Sequence, residues 1–235
     1  MKKYVILIPI YNDRESLTKL IENINSEVKD FNSEISVVVI NDASSQQIID
    51  DYQNTENINS IEIINMKENR GHTRCIASGL KYIYEKKEFD YVIPMDGDGE
   101  DRPEEIKNFI KLAEQSKNQS IIGERVKRSE SLFFKFCYLT HKIITLAFTS
   151  QYIKFGNFTC LSKSTVEKML KEKATWNSFS GSLKKIEKNL LSTPSIRGVR
   201  YFGSSKMSFF NLLKHSLSII SVFRKTVLIR SALFI

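Results

Sequence analysis

The chain has 235 residues, 41% of them hydrophobic, 26% charged and 11% aromatic, and a formal net charge of +8. This balance supplies one medium-sized domain with a core to bury and excludes a disordered or collagen-like chain. Nine glycines and four prolines leave no linker-like stretch, and the three scattered cysteines, Cys75, Cys137 and Cys160, argue against a disulfide framework and a CxxC metal knuckle.

Residues 4–10 (YVILIPI) form a continuous apolar run rich in Val and Ile, which predicts a strand buried on both faces of a parallel sheet. The run lacks the length and cleavage site of a secretion signal, so the domain is expected to stay in a reducing cytoplasm. Asn12 as N-cap, with Glu15 three residues on, predicts a helix in which Leu17, Leu20, Ile21 and Ile24 recur at helical spacing. Residues 35–40 (ISVVVI) predict a second buried strand ending at Asn41-Asp42, and residues 60–66 a third. Residues 72–87 follow as a helix and residues 91–95 as a fourth strand ending at Asp96. The alternation predicts a parallel, doubly wound α/β sheet with right-handed crossovers. Ligands of such sheets sit at the carboxyl ends of strands, so Tyr11-Asn12, Asn41-Asp42, Asn69-Arg70-Gly71 and Asp96-Gly97-Asp98 are expected to share one crevice.

Past Arg102-Pro103, residues 104–115 read as a helix and 120–123 as a short strand. Residues 132–148 form an aromatic-rich helical stretch with Lys135, His141 and Lys142, and residues 155–161 a strand. His141 and His215 lie on apolar helical stretches as interfacial or core residues, and Trp176 is expected in the core. From 208 to 235, Asn211, Lys214, Ser218, Ser221 and Lys225 fall at three- and four-residue spacing among Phe, Leu, Ile and Val, the pattern of a basic amphipathic helix. Arg224, Lys225 and Arg230 cut its apolar run into pieces too short to span a bilayer.

Charge divides unevenly along the chain. Residues 1–120 hold 15 Lys and Arg against 22 Asp and Glu, net −7, whereas residues 121–235 hold 20 against 5, net +15, with no Asp after Asp101. Acidic groups for metal or base chemistry must therefore come mostly from the first half, and the second half is suited to an anionic partner. Within MDGDGEDRP, Asp96, Asp98, Glu100 and Asp101 crowd the turn after a buried strand. Four carboxylates repel one another without a cation, and oxygen ligands suit a hard divalent ion shared with phosphates. The plainer alternative is a solvated acidic turn capping the next helix; an EF-hand is a poorer fit, since it needs a preceding helix and a later Glu at fixed spacing.

The segments IPIYND, VVINDASS, NRGHTRCIASGL, MDGDGEDRPEEI and RYFGSSK, in this order, resemble the family 2 glycosyltransferases of the GT-A fold. The subgroup most alike is that of the polyprenyl-phosphate glycosyltransferases similar to dolichyl-phosphate mannose synthase, and the resemblance covers roughly residues 3–225. It implies a mostly parallel sheet flanked by helices with C-terminal amphipathic helices, a nucleotide-sugar donor and a divalent metal, Mg2+ or Mn2+. It places Pro9, Tyr11, Asn12 and Asp13 around the nucleoside, with the Tyr11 ring packed on the base. Asp42 falls on base or ribose, and Arg70 and Gly71 in the donor site. Asp96 falls beside ribose, diphosphate and metal, Asp98 on the metal, and Glu100 where several relatives use Gln as a further ligand. Relatives usually carry Asp-Asp-Gly-Ser and a further Asp after the second strand, whereas this chain has Asn41-Asp42-Ala43-Ser44-Ser45-Gln46, leaving Asp42 to make that contact alone. Arg125 of GERVKR and Arg200, Ser205 and Lys206 of RYFGSSK match positions that face the acceptor phosphate and the sugar diphosphate. Guanidinium groups suit that task because they bind phosphate oxygens in pairs and stay charged. Asp98, Arg125, Arg200 and Lys206 are the expected catalytic set.

The resemblance implies an inverting transfer from nucleotide-sugar to acceptor. A sugar hydroxyl needs a general base, which family members usually take from an Asp after the metal motif; a phosphate acceptor is already ionised and needs none. The missing Asp therefore favours polyprenyl phosphate presented at a membrane. The alternatives are a family 2 enzyme acting on a glycan hydroxyl, a truncated or non-catalytic nucleotide-sugar-binding module and, on charge alone, a nucleic-acid-binding protein, against which the acidic crevice speaks. Residues 1–206 are expected to form the GT-A domain, with a nucleotide-sugar half at 1–120 and an acceptor half at 121–206. Residues 207–235 are expected to form a basic interface segment that holds the enzyme on the anionic inner face of the cell membrane. No nucleic acid partner is expected, and a homo-oligomer or membrane partner is left open.

Overall fold

Strand β1 (Lys3–Ile10) is apolar without interruption from Tyr4 onward because both of its faces are covered. Tyr4, Ile6, Ile8 and Ile10 enter one core layer, and Val5 and Leu7 enter the other. The first layer is completed by Leu17, Leu20, Ile21 and Ile24 of α1 (Arg14–Val28) and by Ile106, Phe109 and Ile110 of α3 (Ile106–Gln115). The second is completed by Cys75, Ile76, Leu80 and Ile83 of α2 (His72–Lys86). The computed structural model describes residues 1–48, 52, 55–127, 143, 145–203 and 209–233.

The chain forms a seven-stranded sheet of order β3-β2-β1-β4-β6-β5-β7, an α/β arrangement that is mostly parallel, as expected. β2 (Glu34–Asn41) and β4 (Tyr91–Pro94) flank β1, and β3 (Ser60–Asn65) lies outside β2, all parallel. β6 (Thr159–Ser162) enters antiparallel between β4 and β5 (Ile121–Lys127), and β7 (Leu191–Ile196) runs parallel to β5 at the edge. The sheet is thus not parallel throughout. β5 and β6 are neighbours of opposite direction, a pairing that needs no helical crossover to carry the chain back.

The expected strand at 155–161 narrows to β6, with Phe155 and Phe158 buried ahead of the ladder. The helix expected from 104 opens with a 3-10 turn, Pro103–Glu105, before α3. Most of the stretch 132–148, with Lys135, Cys137, His141 and Lys142, lies outside the described residues; residues 145–149 are helical. After β6 come α4 (Lys163–Lys171), a 3-10 turn (Lys173–Trp176) and α5 (Phe179–Ile186), whose N-caps Ser162 and Ser178 accept from Thr165 N–H and Gly181 N–H. Trp176 is 37% exposed and not a core residue; the turn buries Thr175 instead, whose hydroxyl donates to Met169 O at 2.7 Å.

The single C-terminal helix expected from the sequence is two helices, α6 (Phe209–Val222) and α7 (Arg224–Leu233). The break is at Phe223, whose buried side chain and N–H bond to Ile220 O tighten the end of α6 and turn the chain. Ile219, Val222 and Phe223 are buried, whereas Leu213, Leu217, Leu228 and Ile229 are exposed. Arg230 donates to Ala147 O at 2.7 Å, tying α7 to the end of the helical stretch 145–149. Among the described residues no helix is long and apolar enough to cross a membrane.

Candidate active site

The loops after β1, β2 and β4 are joined into a closed circuit. Asn12 takes a left-handed backbone, φ 48°, which its short polar side chain tolerates. Its N–H donates to Ser44 Oγ at 2.8 Å, and its Oδ1 accepts from Ser45 N–H at 2.8 Å and Gln46 N–H at 3.3 Å. Asn12 is therefore the stitch between two strand ends and not the helix cap that the sequence suggests; Asp13 holds the N-cap position, and Ser16 Oγ donates to its Oδ1 at 2.6 Å. The carboxylate of Asp42, 4% exposed, accepts from Arg70 N–H at 2.7 Å and Gly71 N–H at 2.8 Å. Asp42 thus fastens the end of β2 to the turn that starts α2. The Arg70 side chain pairs outward with Glu68, Pro9 is buried inside β1, and Tyr11 is exposed at the rim.

His72, the first residue of α2, carries the circuit to the acidic loop. Its Nε2 lies 3.2 Å from Asp96 Oδ1 and 2.7 Å from Asn157 Nδ2. The first contact has ion-pair distance without hydrogen-bond geometry, so Asp96 Oδ1 remains a buried oxygen with no hydrogen-bond partner. Burial works against ionisation of Asp96, but His72, Arg197 and Arg125 outweigh it and hold this carboxyl well below its usual range. Partial burial lowers the His72 imidazole, yet Asp96, Asp101 and Asp98 raise it above its ordinary value. Asp101, 4% exposed, accepts from Asp96 N–H at 2.9 Å; burial and the charge on Asp96 push its carboxyl well up. Burial, then Asp96, also raises Asp98.

Residues 197–202, after β7, cross this loop as a strap. Arg200 donates to Asp98 Oδ2 at 2.6 Å and pairs with Asp13 Oδ2, closing the circuit between the β4 and β1 loops. Arg197 pairs with Glu100. The Tyr201 ring lies over Gly99, which has φ +85° and where a Cβ would stand 2.5 Å from that ring; glycine is required on both counts. Asn23 of α1 donates to the Tyr201 hydroxyl at 2.7 Å. Arg125, on β5, lies against Gly156, where a Cβ would stand 2.5 Å from its Nη2, and its charge acts on Asp96 and Asp101. Beside the strap an open groove of about 1020 Å³ is lined by Asp13, Thr18, Gln46, Arg200 and Phe202, among others.

The structure therefore gathers Asp13, Asp96, Asp98, Glu100, Arg125 and Arg200 at the carboxyl ends of the central strands, and sets Asp42, Arg70 and Gly71 together beside them through the β2 and α2 turns. Ser205 and Lys206 lie outside the described residues, as does the side chain of His215. Among the described residues no three His, Cys, Asp or Glu side chains form a ready metal cage, because Asp98 and Glu100 are turned to arginines. Sequence reasoning missed His72, Asn157, Arg197 and Tyr201 as members of the site, and named Asp101 in the acidic turn without a role of its own. His72 could have been found from its place directly after the third strand-end turn; nothing local in the sequence marks Arg197 or Asn157.

A mostly parallel sheet of this order, with carboxylates and arginines meeting at its strand ends, is the GT-A architecture of nucleotide-sugar enzymes. Residues 5–179 match the family model of "Glycosyl transferase family 2", and the chain belongs to that family. It is 30% identical over 230 residues to the undecaprenyl-phosphate 4-deoxy-4-formamido-L-arabinose transferase of Photorhabdus laumondii, covering 91% of this chain and 65% of that protein. It is 25% identical over 228 residues to the protein of the same name in Proteus mirabilis, with the same coverage. The chain thus spans about two thirds, 65%, of the length of these relatives. Its fold is similar to that of glucosyl-3-phosphoglycerate synthase from Mycobacterium tuberculosis in complex with Mn2+, UDP and phosphoglyceric acid (TM-score 0.65, 12% identity, 96% of this chain, 78% of that one). It is also similar to a mannosyltransferase from Pyrobaculum calidifontis in complex with GDP-Man and Mn2+ (TM-score 0.54, 14% identity, 97% of this chain, 73% of that one).

Proposed function

We propose that this chain transfers a sugar, with inversion, from a nucleoside-diphosphate sugar to the phosphate of a polyprenyl lipid at the cytoplasmic face of the membrane. The observation that carries this reading is the state of the carboxylates in the second half. Glu124, Glu167, Glu172 and Glu187 are each paired with a lysine, at 2.9, 2.5, 2.7 and 3.0 Å. Among the described residues, the half expected to meet the acceptor offers arginines and no uncommitted carboxylate. A hydroxyl acceptor would lack its base, whereas a phosphate oxygen arrives ionised. The two transferases described above, named for undecaprenyl phosphate, support the same acceptor.

The acidic loop fits a hard divalent cation. Its donors are all carboxylate oxygens, and the buried Oδ1 of Asp96 has no hydrogen-bond partner. Asp96 and Asp98 would hold Mg2+ or Mn2+, with Glu100 in reach after release from Arg197. The ion would supply positive charge to the leaving diphosphate. In the reaction an oxygen of the lipid phosphate attacks the anomeric carbon, the bond from that carbon to the diphosphate breaks, and the electron pair leaves with the diphosphate. No proton has to move. Arg125 and Arg200, with Lys206, draw the two phosphate groups together and offset the charge that grows on the leaving group. Asp13 and Asp42 hold the loops around the nucleoside, against which Tyr11 can pack.

Residues 1–206 serve in this reading as the catalytic domain and 207–235 as the interface segment. The exposed Leu213, Leu217, Leu228 and Ile229 would enter the lipid boundary, while Lys214, Arg224 and Lys225, also exposed, would meet anionic head groups. The deciding experiment incubates the protein with UDP-, GDP- and dTDP-sugars, undecaprenyl phosphate and Mn2+ or Mg2+. A lipid-linked sugar is the expected product; transfer to glycan hydroxyls with none to the lipid would overturn the reading.

A further inference from the structure

His72, Arg125, Arg197 and Arg200 face the acidic loop. The reading above gives Arg125 and Arg200 to the phosphates, and His72 already stands against Asp96. Arg197 is given neither phosphate; it holds Glu100. Its guanidinium pairs with Glu100, and the two side chains are only 25% and 20% exposed. Its charge also reaches Asp96 and Asp101.

The strap does not depend on this pair to stay in place. Ile196 N–H donates to Glu105 Oε1 at 2.8 Å, Gly198 N–H to Glu100 O at 2.8 Å, and Tyr201 N–H to Asp98 O at 2.9 Å. Two backbone–backbone bonds from the strap and one from the end of β7 to the Glu105 carboxylate hold the chain on both sides of Arg197. What the side chain adds is a positive charge set directly on one carboxylate of the loop.

We propose that Arg197 is a positioning residue that keeps the Glu100 carboxylate out of the cation site and thereby sets how tightly the loop binds a divalent ion. The inference rests on the reading of this loop as the cation site. Glu100 in the hands of a guanidinium is a ligand the ion must compete for, and the guanidinium repels the incoming ion besides. Arg197 thus weakens ion binding, and the loop holds Glu100 in reserve until an ion and a diphosphate arrive together. Arg200 occupies Asp98 in the same manner, but it also faces the phosphates, so only Arg197 separates the effect on the ion from the effect on transfer.

The test is Mn2+ binding to the full chain without nucleotide, read from the electron paramagnetic resonance signal of the free ion, with folding checked by circular dichroism. Arg197→Met should bind Mn2+ about tenfold more tightly than the parent, the order expected on freeing Glu100 for the ion and removing one partly screened charge that faces it. Arg197→Lys, which keeps the charge, should stay within about twofold of the parent. In a Glu100→Gln background the gain from Arg197→Met should shrink to about threefold, the part left to direct repulsion of the ion. Equal or weaker binding by folded Arg197→Met overturns the proposal, and so does a gain of undiminished size in the Glu100→Gln background. Arg197→Gln provides the same comparison if the methionine variant does not fold. Absence of Mn2+ binding in every folded protein overturns the cation site itself, and the inference with it.

Discussion

Replacement of Asp42 by asparagine separates fastening from recognition at the end of β2. The carboxylate is 4% exposed and accepts two backbone N–H groups, at 2.7 and 2.8 Å. A hydrogen bond to a charged acceptor contributes about 1.5–3 kcal/mol, and a buried N–H left without an acceptor costs about 1–3 kcal/mol. Asparagine keeps one carbonyl oxygen for one of the two amides and turns an NH2 toward the other. One charge-assisted bond becomes neutral and the second becomes a donor facing a donor. The expected loss is about 3 kcal/mol, which for a chain of this size lowers Tm by roughly 6–12 °C. Thermal melts of the parent and Asp42→Asn, without nucleotide, measure it. A Tm within about 1 °C of the parent would refute the reasoning, since each kcal/mol lost is worth several degrees. If Asp42 served only to contact the base, donor affinity would fall and the melt would not move.

Asp98→Ala should abolish sugar transfer while the circular dichroism spectrum is retained; near-normal turnover at saturating donor removes Asp98 from the cation site. Charge-removing variants of Arg125, Arg200 and Lys206 should each lower transfer at least tenfold, about 1.4 kcal/mol of transition-state stabilisation, and unchanged kinetics in all three would make the cluster a solvated face. Gly156→Ala should lower transfer in the same direction as an Arg125 variant but by less, because its Cβ would stand 2.5 Å from the Arg125 Nη2 and push that flexible guanidinium aside; transfer rates of the two variants test the order. The His72 imidazole is raised in the folded chain, so its pairing with Asp96 adds stability in full below the unfolded value near 6.5 and loses it as pH climbs through the raised folded value. Because the ring is 45% exposed the amount is below about 1 kcal/mol, and metal-free His72→Gln should show a flatter stability profile from pH 6 to 9 in urea titrations. Flotation with anionic liposomes at low salt should carry the full chain upward and lose it when Leu217 and Leu228 become serine; a parent chain that stays at the bottom sinks the interface assignment.

The parallel core was legible because burial on two faces leaves a mark that no neighbour can erase: YVILIPI and ISVVVI read as central strands and are β1 and β2. The acidic loop was legible for the same reason, since the end of β4 fixes where Asp96 and Asp98 point. Asn12 was misread because an Asn ahead of a helix caps it in most settings, and only the distant Ser44–Gln46 turn shows that its side chain is committed elsewhere. β6 falls within the strand predicted over 155–161, but its short length and antiparallel direction are set by partner strands far away in sequence and leave no local periodicity. Trp176 was assigned to the core on residue type alone, which ignores that a 3-10 turn exposes one side. The pairing of Arg197 with Glu100 spans 97 residues and leaves no local trace.

The late insertion of β6 has a consequence for the order in which the molecule is assembled. β1 to β4 and their helices come from the first 94 residues and can pair through neighbouring connections as the chain is made. At that stage β4 is a bare edge, and the turn with Asp96, Asp98 and Asp101 has neither Arg125 nor Arg200 beside it. The arginines arrive with β5 and, after β7, with the strap, so the second half of the chain delivers both the missing strands and the counter-charges. Folding should therefore be biphasic, with an early phase slowed by carboxylate repulsion at the turn and relieved by low pH or by added divalent ion before the strap exists. Pulse-labelled hydrogen exchange would register this as protection of β1 and β2 ahead of β5 and β7, and simultaneous protection of all seven strands would contradict it.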